Sequence, residues 1–403
     1  MAVLRIRDVR LIVGAVGLSA FGDFLLWVPL ALHVEAMTGS PLALSAFFLA
    51  LFGPSVALGG VAGRLADRVE NTRLLWTVSL AQAVVVAAMA LATGSLAAIL
   101  LLTLALGAGV AISQPAEFAL VPAAAGSRRL AEANGLVETA RYVGMTGGPL
   151  VGGVLAAAGL LEVALLVDAV TFAAVALSAR LMRARRDPRD SDPVAGDSGR
   201  ARDGLAYLTA DRVLRVTLGG AVAALLFFSM SIVAEVFYVT DVLHAGEAAY
   251  GLLVASWTLG MVAGAVGLAR RVPPGALATA ALAGVAVQGL GIASAAAAGM
   301  LWAAFAGFTL GGVAHGVKNV LLRTLIHERV PEALRGRAFA VYNAARNGAE
   351  LGALGAGGVL IGAIGAQPAL LLSGAIPLAV GVASLVVLFA GSSGAAYPAP
   401  ESA

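Results

Sequence analysis

The sequence of 403 residues contains no cysteine, only four histidines and a single lysine, Lys318. The lack of cysteine excludes disulfide bonds and thiolate metal ligands. The histidines are scattered without metal-ligand spacing, at His33, His244, His315 and His327. No G-x-x-x-x-G-K-[ST] loop is present to cradle nucleotide phosphates. We therefore expect no metal site, no cofactor and no enzymatic activity.

Charge is scarce and apolar residues dominate. Charged residues make up 12% of the chain and hydrophobic residues 60%, and the mean hydropathy is +0.93. Soluble domains carry about 25% charged residues, whereas a membrane-spanning helix needs about 20 mainly apolar residues. We predict an all-α polytopic membrane protein with twelve transmembrane helices, at residues 10–35, 41–63, 74–93, 97–122, 133–159, 161–182, 213–241, 248–269, 275–297, 300–323, 338–362 and 368–391.

Arginines occur in alternate loops between these segments, and the intervening short loops contain neither Lys nor Arg. Because positive residues accumulate on the cytoplasmic side, both termini are predicted to be cytoplasmic, with the protein in the inner membrane. The net positive charge therefore indicates the orientation of the protein in the membrane. We expect a lipid bilayer rather than a nucleic acid as partner. The first apolar segment is too long for a signal-peptide core and is predicted to stay uncleaved.

A polar segment at residues 183–212 divides the chain into two halves that resemble each other. Its prolines, glycines and mixed charges predict a linker between residues 1–182 and 213–403, each forming one six-helix bundle. We favour the interpretation that this segment only tethers the two bundles over the alternative that it is a docking site for a regulator. The halves repeat Arg141 at Arg346, and G-G-V-L at 152–155 recurs at 357–360. Parallel repeats of this kind predict two pseudo-symmetric bundles with a site between them.

Three charged or proline-containing motifs occur in order along the chain: G-R-L-A-D-R at 63–68, Q-P-A-E-F-A-L-V-P at 114–122 and V-P-E-A-L-R-G-R-A-F at 330–339. They resemble motifs of the major facilitator superfamily. Together they are most similar to the bacterial proton-coupled drug exporters that include macrolide efflux proteins and the enterobactin exporter. The resemblance covers nearly the whole chain and implies the fold of that superfamily.

The first motif implies a cytoplasmic gate formed by Gly63, Asp67, Arg68 and Arg73. The glycine that usually follows the Asp-Arg pair is missing here, where Val69 follows Arg68. The arginine that many drug–proton antiporters carry in the fourth helix is also missing from residues 102–109. A charge relay through such an arginine is therefore not expected.

A fourth segment, residues 144–153, is similar to the antiporter motif G-x-x-x-G-P-x-x-G-G. Its proline removes a backbone hydrogen bond and its glycines let a neighbouring helix approach closely, which suits a hinge. A Gly-rich helix packed for structural reasons is the alternative. The residues concerned are Gly144, Gly148, Pro149, Gly152 and Gly153.

Ionisable residues within membrane helices are costly and are functional candidates by default. Asp23 lies about 20 Å of helix rise after Arg10, near the middle of the first helix, with no counter-charge within one turn. It is a candidate for proton coupling, and a hydrogen-bonded structural aspartate is the alternative. Glu138 with Arg141, and Arg346 with Glu350, have spacings that place each pair on one helix face. These pairs could serve transport or could be structural ion pairs.

Four further residues are cavity candidates: Glu117, Glu235, His315 and Lys318. The two glutamates are expected near the entrance and exit. His315 could be a packing residue, and Lys318 could extend to the membrane surface. Asp168 matches an aspartate of the family, but its role does not follow from the sequence.

Taken together, these features predict a monomeric secondary active transporter that exports a small amphipathic molecule in exchange for protons. Alternating access around a central site would drive the exchange. Two alternatives remain open at this point. One is an importer or facilitator of the same fold, and the other is a membrane sensor or partner-binding protein that transports nothing.

Overall fold

The described part of the chain, residues 2–185 and 198–390 of a computed structural model, is helical and contains no strand. The first half contains α1 (Arg7–Thr38), α2 (Pro41–Ala57), α3 (Gly59–Arg68), α4 (Asn71–Ala90), α5 (Leu96–Ala125), α6 (Leu130–Ala157) and α7 (Leu161–Leu181). The rest contains α8 (Ser198–Ala210), α9 (Arg212–Phe228), α10 (Ser231–Phe237), α11 (Glu247–Ala263), α12 (Leu277–Ala298), α13 (Leu301–Arg329), α14 (Glu332–Ile364) and α15 (Ala366–Ala390). Residues 186–197 of the predicted linker, and 391–403 of the second predicted half, lie outside the described residues.

Within these ranges, nine helical segments are long and apolar enough to cross a membrane, and the bent pair α2–α3 makes a tenth. The remaining two crossings are α6 and α13, which have 28 and 29 residues. Their glycines and ionisable residues lower their hydropathy, but their length suffices to span a bilayer. The fold class predicted from the sequence is confirmed, with twelve crossings in two bundles of six.

Several crossings are bent or broken. The axes of α2 and α3 differ by 53° across Leu58, where Pro54 has removed a backbone hydrogen bond just before the break. α10 continues into a π-helix at Tyr238–Val242, and α11 into another at Gly264–Leu268. The predicted linker also contains regular structure, because α8 packs against α14, where Gly204 lies against the backbone of Arg337.

We call the end of the molecule that carries Arg64, Arg68 and Arg335 the arginine-rich end, and the other the opposite end. At the arginine-rich end, each half has its own apolar cluster: one includes Ile12 and Leu120, the other Leu214 and Leu325. Towards the opposite end, one cluster contains buried residues of both halves. The halves are therefore packed together at the opposite end and have separate cores at the arginine-rich end.

The main contacts between the halves are those of α6 with α11 and of α2 with α14, and α1 and α2 also touch α10. A Cβ atom on Gly153 would lie 2.9 Å from the Cα of Gly251 in α11. A Cβ atom on Gly358 would lie 2.5 Å from the carbonyl oxygen of Pro41 in α2. Both close approaches occur at the opposite end, and both need the absence of a side chain.

Candidate functional site

A cavity of about 360 Å³ lies in the first half, between α1, α2, α4, α5 and α6. Three predicted site residues from three different helices line it: Asp23 of α1, Glu117 of α5 and Arg141 of α6. All three side chains lie within electrostatic range of one another. The fold thus brings two carboxyl groups and one guanidinium to one chamber, although they are far apart in sequence.

Arg141 is held by two neighbours. Its guanidinium carbon lies 5.2 Å from the ring centroid of Phe118, a cation–π distance. Its Nε lies 3.8 Å from Oε1 of Glu138, and the side chains of Arg141 and Glu138 are 20% and 45% exposed. Glu138 does not line the cavity, and its greater exposure makes it the more solvated partner of this pair.

Aromatic side chains form much of the remaining wall. Trp27 packs against Phe24 and Phe52 at ring-centroid distances of 5.2 Å and 5.8 Å, and Phe47 also lines the chamber. The lining also includes polar residues, and two of them that the sequence did not single out are Gln82 and Thr103. The signal for them was weak, since an isolated Gln or Thr in an apolar helix is common.

A second cavity, of about 170 Å³, adjoins the first. Phe24, Trp27 and Met145 line both chambers. The second-half residues that line it include three of the predicted site residues: Glu235, His315 and Glu350. Trp257 stacks on Phe228 at 5.1 Å, and the His315 ring lies 5.4 Å from Trp257. The combined space therefore lies between the two halves.

The remaining candidates of the second half, Lys318 and Arg346, lie near His315 around one small space. Lys318 is 5% exposed, and its Nζ donates to Oε1 of Gln288 at 2.7 Å instead of extending to the membrane surface. Nδ1 of His315 lies 3.3 Å from the same oxygen. Nη1 of Arg346 lies 4.0 Å from Oε2 of Glu350. This cluster contains both signs of charge, and Lys318 and Arg346 line a small space of about 10 Å³.

The five residues similar to the antiporter motif are all buried and make helix contacts. Cβ atoms on Gly144, Gly148 and Gly152 would lie 2.4 to 2.6 Å from backbone oxygens of α1. These glycines are one helical turn apart, so they form a continuous groove along α6 for α1. Pro149 and Gly153 instead face α11 of the other half, since a Cβ on Gly251 would lie 2.4 Å from the Pro149 oxygen. The motif therefore connects α1 to the junction between the halves.

The predicted gate residues lie at the arginine-rich end. Asp67, Arg68 and Arg73 are exposed, and Gly63 is half-buried with no heavy atom near its Cβ position among those of the described chain. The helix that carries most of them, α3, packs on α5 and α2. In this conformation the gate residues face solvent.

Asp168 is fully buried where α7 meets α1. Its Oδ1 accepts a hydrogen bond of 3.0 Å from Thr171, and a Cβ on Gly22 would lie 2.1 Å from it. Its Oδ2 has no hydrogen-bond partner among the described residues. Asp168 is within electrostatic range of Asp23, the next residue after Gly22. It supports the wall behind Asp23 and does not line either cavity.

This architecture of two six-helix bundles around a central, charged and aromatic space defines a membrane transporter. The chain belongs to the Major Facilitator Superfamily, whose family model matches residues 12–353. It is therefore a transporter rather than an enzyme, working on small molecules within the lipid bilayer. No curated protein matches the sequence.

Solved structures with the same fold include transporters with different substrates. An auto-inhibited peptide transporter of the POT family has a TM-score of 0.73 and 14% identity, covering 98% of this chain and 99% of its own. A bacterial homologue of the iron transporter ferroportin, inward-facing, has a TM-score of 0.71 and 18% identity, covering 97% and 99%. A bacterial homologue of the human lysosomal transporter Spinster, inward-facing and unoccupied, has a TM-score of 0.64 and 17% identity, covering 96% of each chain. At these identities the similarity shows the fold alone.

Proposed function

We propose that this protein is a secondary active exporter that exchanges a small amphipathic molecule, of cationic type, for protons. The observation that carries the proposal is the first-half cavity, where Asp23 and Glu117 meet one guanidinium within an aromatic wall. Two carboxyl groups against one arginine favour a positively charged ligand. Trp27 and the phenylalanines supply apolar and cation–π contacts for such a molecule.

Exchange follows if the proton and the cationic molecule compete for the same carboxyl groups. A protonated Asp23 loses its attraction for a cation, so proton entry would release the cargo. A ligand shifts a conformational equilibrium only by its differential affinity for the two states. We therefore assign the coupling role first to Asp23 and Glu117, with Arg141 as their partner. We assign Glu350, with Arg346, as a second coupling candidate across the adjoining chamber.

We further propose the direction of the molecule in the membrane. The arginine-rich end would face the cytoplasm of an inner membrane, in accordance with the positive-inside rule, and both termini would be cytoplasmic. With that orientation, the separate cores at the arginine-rich end support an inward-open state as the state described here. In the outward-open state, residues 1–182 and 213–403 would rock as two bodies joined by the segment 183–212. Asp67, Arg68 and Arg73 would then contact the other half. We expect a monomer to suffice.

The test is accumulation of fluorescent amphipathic cations, such as ethidium, in an efflux-deficient bacterium that expresses this chain. We expect lower accumulation than in cells without the chain, and a protonophore should abolish the difference. Equal accumulation with the protein present in the membrane would contradict export of cations. Accumulation lowered to the same extent with and without the protonophore would contradict proton coupling.

A further inference from the structure

Two buried polar side chains of the first cavity have no hydrogen-bond partner among the described residues. Neither the amide nitrogen nor the amide oxygen of Gln82 is bonded, and the hydroxyl of Thr103 is also unpartnered. Gln82 is 2% exposed and Thr103 is 1% exposed, and both line the cavity. Leaving such groups unsatisfied costs about 1–3 kcal/mol each, so something in the cavity is expected to bind them.

The side chain of Gln82 occupies space that is free because a glycine lies opposite it. Gly109 of α5 faces it, and a Cβ there would lie 2.6 Å from Cγ and 2.8 Å from Cδ of Gln82. With any other residue at position 109, the amide would be displaced from its present place. The orientation of Gln82 into the chamber therefore depends on a neighbouring helix as well as on its own.

The two polar groups are separated from the carboxyl groups along the cavity. Thr103 and Glu117 are both on α5 and line the same chamber. At a rise of 1.5 Å per residue, they are about 20 Å apart along the helix axis. Glu117 is towards the arginine-rich end, and Thr103 is towards the opposite end. Gln82 faces Gly109, which lies between Glu117 and Thr103 on α5, about 9 Å from Thr103 along the axis. The chamber thus has a charged region near Glu117 and an uncharged polar region that extends from Gln82 to Thr103.

We infer that Gln82 and Thr103 form a deep subsite for an uncharged hydrogen-bonding group of the transported molecule, one that both donates and accepts, such as a primary amide. An amide side chain offers both a donor and an acceptor, and the hydroxyl can serve as either. This inference depends on the proposed function, because it assigns one end of the cationic cargo to Asp23 and Glu117. The preferred substrate is then an elongated cation with a neutral polar group at its far end.

The experiment compares two triphenylphosphonium cations of equal length, one ending in a primary carboxamide and the other in an alkyl group of similar size. Binding to the purified full-length chain is measured by equilibrium dialysis, without a proton gradient. We expect the carboxamide cation to bind about tenfold more tightly, as one or two buried hydrogen bonds allow. The variants Gln82→Leu and Thr103→Val should reduce this preference to less than about twofold while the alkyl cation still binds.

Thr217→Val is the matched control. Thr217 is also fully buried with an unpartnered hydroxyl in the described chain, but it lies on α9 and lines neither cavity. This control should keep the wild-type preference. Melting temperatures of all three variants show whether each is folded, and removing an unsatisfied polar group should not lower them.

The outcomes separate the subsite from the proposed function. Equal affinity of the wild type for both cations would overturn the subsite, since resident water alone then satisfies Gln82 and Thr103, and cation export would stand. A preference that persists in Gln82→Leu and Thr103→Val would also overturn it. Binding of neither cation would overturn the subsite together with the cationic substrate class.

Discussion

Gly153 of α6 and Gly251 of α11 face each other so closely that a Cβ on Gly251 would lie 2.7 Å from the Cα of Gly153. Gly153 is the second glycine of the G-G-V-L segment at 152–155. The second glycine of the repeated segment at 357–360, Gly358, makes the equivalent approach to α2. Each copy of the repeated segment therefore supplies a close backbone contact between the halves, at one of their two main helix pairs.

The first prediction concerns these junctions. Gly358→Ala places a methyl group against the Pro41 oxygen and should separate α14 from α2, which disfavours the state closed at the opposite end. Overpacking typically costs about 1–3 kcal/mol, so we expect protonophore-sensitive efflux to fall by about tenfold. The control is Gly362→Ala, one turn further along α14, where a Cβ would meet no heavy atom within 4 Å. Equal efflux by the two variants would contradict the role of the junction.

The second prediction concerns the groove between α6 and α1. Gly148→Ala would put its Cβ 2.6 Å from the Phe21 oxygen, whereas Gly147→Ala would meet nothing closer than 3.7 Å. We expect the melting temperature of the purified protein to fall for Gly148→Ala, by a change equivalent to about 1–3 kcal/mol, and to stay unchanged for Gly147→Ala. If the two variants have equal melting temperatures, α1 and α6 are not packed as closely as described.

The third prediction concerns proton coupling. Asp23→Asn keeps the size of the side chain and removes its charge, so cation export driven by the proton gradient should be lost while folding is retained. Asp241→Asn, at an exposed position of the opposite end, should transport like the wild type. Efflux of a fluorescent cation at matched membrane levels of protein decides the matter. Unchanged protonophore-sensitive efflux by Asp23→Asn would exclude a coupling role for Asp23.

The fourth prediction separates Arg141 from its neighbour. Arg141→Gln removes the positive charge from a chamber that contains Asp23 and Glu117, and we expect efflux to fall at least about tenfold, since the two carboxyl groups are then left without a nearby counter-charge. Glu138→Gln should change efflux by less than about twofold, because exposed ion pairs contribute about 0–1 kcal/mol. Equal losses in the two variants would mean that the ion pair acts as one functional unit.

The sequence predicted the helices and the family well, for physical reasons. Long apolar segments bounded by arginine loops have few alternatives to membrane crossings, and eleven of the twelve are continuous or gently broken helices, while α2 and α3 are sharply bent. The family model confirms the resemblance that the charged motifs indicated. The narrower resemblance to drug exporters remains a proposal.

The arrangement of the site was harder to predict. Helical spacing paired Glu138 with Arg141, but it could not show that Asp23 and Glu117 share a chamber with the arginine, since that depends on how three helices pack. Because Lys318 lies near a helix end, its side chain was expected to be able to reach the membrane surface. Instead, its ammonium group is buried and donates a hydrogen bond to Gln288 on the neighbouring α12. Gln82 was missed because its significance comes from what surrounds it, namely Gly109 and an absence of protein partners.

The apolar cluster that the two halves share at the opposite end has a thermal consequence. When that end opens, side chains such as Phe47 and Tyr250, now buried in the cluster, must become accessible to water. Exposure of apolar surface carries a positive heat capacity, and its free-energy cost weakens on cooling. The equilibrium between the two states should therefore curve with temperature, and cold should favour the state that buries less apolar surface at the two ends together. Each transport cycle then separates the apolar interface at the opposite end reversibly and forms another interface at the arginine-rich end.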